Sequence, residues 1–452
     1  MTSNKRRDAL GGRLYRKHDK WPMVVKIAQE VKKAGGRALL VGGSVRDALL
    51  GQHAIKDFDL EVYGLEKSAL KHLLNNIGRS RTREDARGRV VEIGKQFGVF
   101  NLDGIDIALP RTDSRTKPGL GRKPEVKSQP NLEFEKASRR RDLTINALAY
   151  DPLTGKILDA QGGLLDHKRG ILRAVDRTSF GDDPLRVLRV MQFAGRFGFK
   201  IDPQTLKLCR SISLKHLAKE RVGEEWRKLM LKSPKPSMGL EAGRQLGVFS
   251  KLHPALARMS PTNWKATKKA VDHIAQVSSV IARQSAFGGR SPTTRQSTLE
   301  TLLLAALIHY LKPDVGRKFL GQINLSKSQA KVVDKLNELA HQVGNSDEFV
   351  RRSVYELSKM GLSSNDLVLL LRATGKASLS KEILRRVKVL HAEKVKPLLQ
   401  GRDLLALGVK PGKEMGELLD QVFDQQLAGK FDDARHRPQK RLAVEWAICH
   451  LD

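Results

Sequence analysis

From Ala38 to Tyr63 the chain reads ALLVGGSVRDALLGQHAIKDFDLEVY, an apolar run, a glycine pair, a short helix opening near Ser44, and a second strand in which acids alternate with apolar residues. Successive side chains of a strand point to opposite faces, so Asp57, Asp59 and Glu61 share one face while Phe58, Leu60 and Val62 share the other. That alternation commits the strand to a sheet with one face on a core and its acids on the opposite face. Gathered at a cleft, such acids make an oxygen-only site of the kind that suits Mg²⁺. Gly42 and Gly43 let backbone approach a ligand, and the amides at a helix N-terminus attract phosphate. Arg46, in the first helical turn, could add a fixed positive charge. A phosphate cradle beside metal-binding carboxylates is the equipment of phosphoryl or nucleotidyl transfer. The plainer alternative is a Gly-rich turn followed by a solvated strand edge, and a short match does not by itself decide between them.

The charge balance narrows the partner. Lys and Arg number 83 against 49 Asp and Glu, a net charge of +34 spread along the chain. Such a surplus repels itself, and a polyanion relieves it. Nucleic acid, bound through phosphate contacts and counterion release, is the expected partner. A membrane surface is disfavoured, since no basic amphipathic segment or lipidation signal is present. The two cysteines, Cys209 and Cys449, exclude a disulfide framework and a cysteine-ligated zinc site, which points to a reducing, cytoplasmic setting. The basic N-terminus has no apolar stretch behind it, and no run of about 18 apolar residues provides a span.

Length favours roughly three domains. Residues 1–20 read as a mobile basic arm. Strands are expected at Ala38–Val41, Asp57–Tyr63, Val99–Leu102 and Ile105–Leu109, with a helix over Glu66–Asn76. Gly78–Gly88 reads as a charged loop, and the Pro-, Gly- and Lys-rich stretch after Arg111 as an exposed one. From about residue 180 the spacing becomes helical, as in Leu185, Leu188, Met191 and again in Leu299, Leu303, Leu307. On the strand at Ile105, Asp106 is a single acid among alternating apolar residues. By geometry it and Glu61 are both candidates for a third carboxylate.

The ordered set Gly42-Gly43-Ser44-Val45-Arg46-Asp47, Leu49-Leu50-Gly51 and Asp57-Phe58-Asp59 resembles the head signature of the class II tRNA nucleotidyltransferase and bacterial poly(A) polymerase family. By that resemblance Asp106 looks like the third carboxylate. Arg139-Arg140-Arg141-Asp142-Leu143-Thr144-Ile145-Asn146-Ala147 resembles the element that recognises the ribose of the incoming nucleotide. Asp142 would accept a sugar hydroxyl, supported by Arg141 and Asn146; such a carboxylate discriminates because the wrong sugar leaves it unpaired. Asp182-Asp183-Pro184-Leu185-Arg186-Val187-Leu188-Arg189 resembles the protein template for the base, with Asp182 where the family usually has Glu. Asp183 and Arg186, three residues apart on one helix face, could meet one base edge, and Arg189 belongs to the same nucleotide site. Asp183 could equally be a helix cap ahead of Pro184. In relatives with a metal phosphohydrolase domain a His-Asp doublet would be expected; here the place reads Leu307-Ile308-His309-Tyr310, with Asp272-His273 as the other candidate, so a helical body without a metal is the better reading.

The resemblance implies an α+β fold: a polymerase-β-like nucleotidyltransferase head followed by an all-α neck, body and tail. Expected bounds are 21–150 for the head, 151–235 for the neck, 236–390 for a degenerate body and 391–452 for a tRNA-binding tail. It implies template-independent CCA addition from CTP and ATP to the tRNA 3′ end, with Mg²⁺ held by Asp57, Asp59 and Asp106, and with Gly42, Gly43 and Arg46 on the phosphates. The partner would be tRNA, gripped at its acceptor and T arms, with no membrane and no stable protein partner. Poly(A) polymerase and CC-only or A-only enzymes share nearly all these motifs. A catalytically silent RNA-binding protein is the reading from another class.

Overall fold

The computed structural model describes residues 15–51, 57–79, 90–93, 98–113, 126–284, 292–342, 344, 346–392, 395–432 and 439–450. The expected loop at Gly78–Gly88 and most of the stretch after Asp113 lie outside the described residues. The chain forms two compact units, residues 1–217 with 242–251, and residues 218–241 with 252–452.

The first unit is built on a seven-stranded mixed sheet. Its elements run α1 (Trp21–Lys33), β1 (Arg37–Val41), α2 (Gly43–Leu49), β2 (Phe58–Tyr63), α3 (Lys67–Arg79), β3 (Val91–Ile93), β4 (Val99–Leu102) and β5 (Ile105–Ala108). A small pair, β6 (Arg111–Asp113) and β7 (Val126–Ser128), follows, then α4 (Phe134–Ser138), β8 (Leu148–Tyr150), β9 (Ile157–Asp159) and α5 (Gly163–Arg169). The strand order is β3-β4-β5-β2-β1-β8-β9. The pairing of β2 with β5 is parallel, and those of β1 with β2 and with β8 are antiparallel. The sheet therefore runs past the expected head boundary at residue 150, because β9 pairs with β8 in register.

Alternation sets what each face does. Leu40, Phe58, Leu60, Val62, Phe100, Leu102, Ile105 and Ile107 join α1 and α3 in one buried cluster. The residues between them, Asp59, Glu61, Asn101 and Asp106, therefore fall on the opposite face. Tyr15 is buried as well, stacked on Trp21 with ring centroids 5.2 Å apart and donating a hydrogen bond to the Ser44 carbonyl. The end of the expected mobile arm thus belongs to the core: a large ring removed from water holds the chain there. Residues 1–14 lie outside the described residues.

Helix α6 (Leu185–Phe197) ends on Gly198 in the left-handed conformation, a common helix stop. The next helix, Pro203–Ser211, is capped by the Asp202 carboxylate, which accepts from the Thr205 amide. Among the described residues of the second unit the regular elements are all helices. Its central helix, Pro292–Ile308, carries Leu302 to Ile308 without one exposed residue. A helix apolar all round must be surrounded by others. Ser326 and Ser346 cap two neighbours through their hydroxyls. A separate apolar cluster at the C-terminal end gathers Leu404, Met415, Leu418, Val422, Phe431 and Ala443. No described helix is long and apolar enough to cross a membrane.

Candidate active site

The acids of β2 and β5 meet by register. Asp59 lies directly beside Asp106 in the parallel pair, so both carboxylates stand on the face away from the core. Asp57, just ahead of β2, is exposed on the same alternation. Asn101 Nδ2 donates to Asp106 at 2.6 Å and orients it. Burial pushes the Asp59 carboxyl above its ordinary range; Arg141 opposes that, while Asp106 and Asp57 add to it by like-charge repulsion. Three acids that repel one another on an otherwise basic protein form a site that a cation would stabilise. The donors are all oxygens, which fits a hard divalent ion. Among the described residues no three His, Cys, Asp or Glu side chains close into a finished metal cage. A cation here would need further oxygens from a bound ligand or from water.

Register also separates the two candidate third carboxylates. Glu61 is one alternation further along β2, buried, and accepts from Arg140 Nη2 and from the Tyr63 hydroxyl, each at 2.7 Å. Arg141 Nη2 lies 3.9 Å away. Burial would raise the Glu61 carboxyl, but the charges of Arg141 and Arg140 and the two hydrogen bonds outweigh it and hold it below the usual range. Glu61 is thus an internal counter-ion.

Gly42 ends β1 with φ +75° and begins the turn into α2. A Cβ there would stand 3.3 Å from Arg141 Nη1 and 3.9 Å from Asp59 Oδ2, so the glycine satisfies the backbone and leaves room for the guanidinium. Gly43 opens α2, with Arg46 Nη2 3.5 Å from the position its Cβ would take.

Arg46 sits otherwise than expected. It is buried, bonded to Asp47 through Nε and Nη2 at 2.9 and 2.7 Å and to the Asn146 side-chain oxygen through Nη1. Its guanidinium lies 5.0 and 4.8 Å from the ring centres of Phe193 and Phe197. Those contacts occupy the group that was expected to face phosphate and make it part of the floor of the site. Asp47 is shared with Arg196 Nη2 at 2.9 Å, which ties α2 to α6.

Asp142 differs likewise. It is buried and already holds three protein donors: the Leu143 amide at 2.8 Å, Asn146 Nδ2 at 2.9 Å and Arg189 Nε at 2.6 Å. Burial alone would raise this carboxyl; the Arg189 charge and these hydrogen bonds prevail and hold it below the usual carboxylate range. Arg189 therefore serves Asp142, and a chain of contacts runs Arg46–Asn146–Asp142–Arg189.

Asp183 stands just ahead of α6, in extended backbone. Its carboxylate accepts from the Leu185 amide at 3.1 Å, as a cap does. Arg186, one turn on, is fixed from two directions: Nη1 donates to the Ser179 carbonyl at 3.0 Å and Nη2 to the Arg140 carbonyl at 2.8 Å. The Phe180 ring lies beneath it at 5.9 Å. The base-reading candidate is thus pinned to the segment that also carries Arg141 and Asp142. Sequence reasoning gave no site role to Asp47, Arg196 or the Phe180, Phe193 and Phe197 rings; the spacing of Arg189, Phe193 and Arg196 on one helix face was the available signal.

In the helical unit, His309 is buried, with Nδ1 2.7 Å from the Asn337 side-chain oxygen and its ring stacked 4.1 Å from His341. Tyr310 donates to the Thr374 carbonyl, and Asp272 accepts from the amide and hydroxyl of Ser237. His309 and Asp272, read in the sequence against a metal doublet, are here held by protein partners.

Three family models match the chain: poly A polymerase head domain over residues 38–173, probable RNA and SrmB-binding site of polymerase A over 198–260, and tRNA nucleotidyltransferase domain 2 over 295–435. The multifunctional CCA protein of Nitrosococcus oceani is 37% identical over 225 residues, 48% of this chain and 50% of that protein. The chain thus aligns with about half the length of such relatives. The CCA-adding enzyme of Ligilactobacillus salivarius is 29% identical over 432 residues, 91% of this chain and 93% of that one. The Thermotoga maritima CCA-adding enzyme complexed with tRNA has the same fold, with a TM-score of 0.61 at 22% identity, covering 97% of this chain and 98% of that one.

Proposed function

The chain belongs to the class II tRNA nucleotidyltransferase and bacterial poly(A) polymerase family, and we propose that within it this protein adds CCA, from CTP and ATP, to the 3′ end of tRNA. The observation that carries the reading is the in-register pair Asp59 and Asp106 on the open sheet face, beside the Gly42 turn and in the same unit as the pinned Arg186. The terminal hydroxyl oxygen of the RNA attacks the α-phosphorus of the nucleotide. A new oxygen–phosphorus bond forms as the hydroxyl gives up its proton to water, the bond from the α-phosphorus to the bridging oxygen breaks, and pyrophosphate leaves with the electron pair.

Enzymes of this family generally work with divalent metal ions. We assign Mg²⁺ here, held by Asp57, Asp59 and Asp106, where it would neutralise the charge that builds on the phosphates. The protein's own part is placement. Gly42 and Gly43 let the triphosphate approach the backbone, and Arg141 sets a positive charge against the same turn. Asp183 accepts from an exocyclic amine while Arg186 donates to the ring edge, a pairing that cytosine and adenine both satisfy and uracil does not. Asp142, Asn146 and Arg189 form the wall on which the sugar is placed, with Arg46 behind it. Most of the rate then comes from alignment and fixed charge. The basic surplus grips the acceptor and T arms of tRNA through backbone and shape.

The test is incubation with Mg²⁺, each labelled nucleoside triphosphate, and four RNAs: tRNA lacking CCA, ending in C, ending in CC, and an unstructured RNA. CCA addition that then stops is expected. Only CC, only A, or a long A tail on any RNA would move the protein to a sister activity, and no incorporation at all would leave an RNA-binding protein.

A further inference from the structure

We propose that Glu61 is a positioning residue for nucleotide selection, acting through Arg140 on Arg186; the inference rests on the nucleotidyl-transfer reading above. Glu61 lies on the catalytic strand, one alternation beyond Asp59, yet it is 2% exposed and so touches no substrate. Its two oxygens are divided. One takes Arg140 Nη2 at 2.7 Å; the other takes the Tyr63 hydroxyl at 2.7 Å and lies 3.9 Å from Arg141 Nη2. Arg140 in turn offers its backbone carbonyl to Arg186 Nη2 at 2.8 Å. A continuous path therefore runs from the strand bearing Asp59 to the arginine set to read the base.

Arg140 depends on this carboxylate. Its Nε is buried without a hydrogen-bond partner, so Glu61 supplies the ionic contact that keeps the side chain in place. With that charge removed, two adjacent guanidinium groups would repel each other. Arg140 would shift, carrying its carbonyl away from Arg186, and Arg141 would turn toward Asp59. Charge at position 61 thus sets where residue 140 holds its carbonyl, and that carbonyl sets one of the two anchors of Arg186.

The variants are Glu61→Gln, which keeps the shape and loses the charge, and Glu61→Asp, which keeps a charge facing both arginines. On tRNA lacking CCA, the ratio of kcat/KM for CTP to that for UTP is measured, with KM and kcat resolved. Glu61→Gln is expected to lower this ratio about tenfold or more, mainly through KM, with tRNA affinity unchanged. Glu61→Asp should lie closer to the wild type. Tyr63→Phe, which leaves the carboxylate in place and removes one donor, should move the ratio in the same direction by less, and serves if Glu61→Gln does not fold. A lowered melting temperature with an unchanged ratio in Glu61→Gln, or an unchanged ratio in Tyr63→Phe where Glu61→Gln is unfolded, overturns the proposal. A wild-type protein that incorporates no nucleotide overturns the functional reading itself, a result distinct from either.

Discussion

Arg189→Met removes the guanidinium from Asp142 and keeps most of the side-chain volume. The carboxylate is buried, and Arg189 Nε sits 2.6 Å from Oδ2 while the Leu143 amide and Asn146 serve Oδ1. Without Arg189 one oxygen loses a charge-assisted bond and the buried anion keeps only two neutral donors. Arg189 is itself a third exposed, so stranding the buried anion costs about 2–3 kcal/mol rather than the full cost of a pair buried on both sides. The wild-type carboxyl is held below its unfolded value, so its contribution is present at neutral pH and is lost as pH falls through that range. In Arg189→Met burial dominates and the folded carboxyl rises above the unfolded value. The penalty is therefore full at neutral pH and shrinks as acid protonates the group. Hydrogen exchange of the amides in residues 140–150, read by mass spectrometry, reports the local opening energy of this segment in the intact protein. Asp142→Asn combined with Arg189→Met should recover about 1–2 kcal/mol of the loss, because the stranded charge is gone. A loss that is independent of pH, together with a double variant no better than the single, would refute the reasoning.

Asp59→Asn should cut incorporation at least about 10²-fold while sparing tRNA binding, and should raise the melting temperature at neutral pH, since it relieves burial and repulsion by Asp106 and Asp57; undiminished turnover would remove Asp59 from catalysis. Arg186→Ala should degrade the choice among nucleotides more than it weakens tRNA binding, and preserved CTP and ATP selectivity would leave the Asp183–Arg186 turn a helix cap. Gly42→Ala forces a side chain into φ +75° against Arg141, a strain of about 1–3 kcal/mol, and should raise the nucleotide KM; wild-type kinetics would contradict the close approach. His253, bonded to Trp226 and Gln322, and His309 are both pushed down by burial from 6.5 to about 4. Their folded values lie below the unfolded one, so each should withdraw about 3 kcal/mol from the helical unit as pH falls from 6.5 to 4, with no change above; a thermal denaturation midpoint flat across that window would count against it.

Much of this protein was legible in short-range pattern. The alternation of Phe58, Leu60 and Val62 with Asp59 and Glu61 assigns each side chain to a face whatever the strand pairs with. The i, i+3 spacing of Asp183 and Arg186 suggested one helix face, although Asp183 stands ahead of α6 in extended backbone. What the pattern could not reach was the choice of partner. Strand geometry alone left both Asp106 and Glu61 open, the family resemblance favouring Asp106; the parallel pairing of β5 with β2 set Asp106 beside Asp59 and left Glu61 to Arg140. With 83 basic residues in the chain, local sequence cannot say which arginine an acid meets. Arg46 and Asn146 are 100 positions apart, and Arg196 reaches Asp47 from 149 away. Periodicity is a property of neighbouring residues, whereas an ion pair is decided by which groups the folded chain brings within a few ångströms and takes out of water together. Sequence by itself determined the faces and the chemistry on them; tertiary structure decided which of those groups stay open on the sheet face and which hold the others in place.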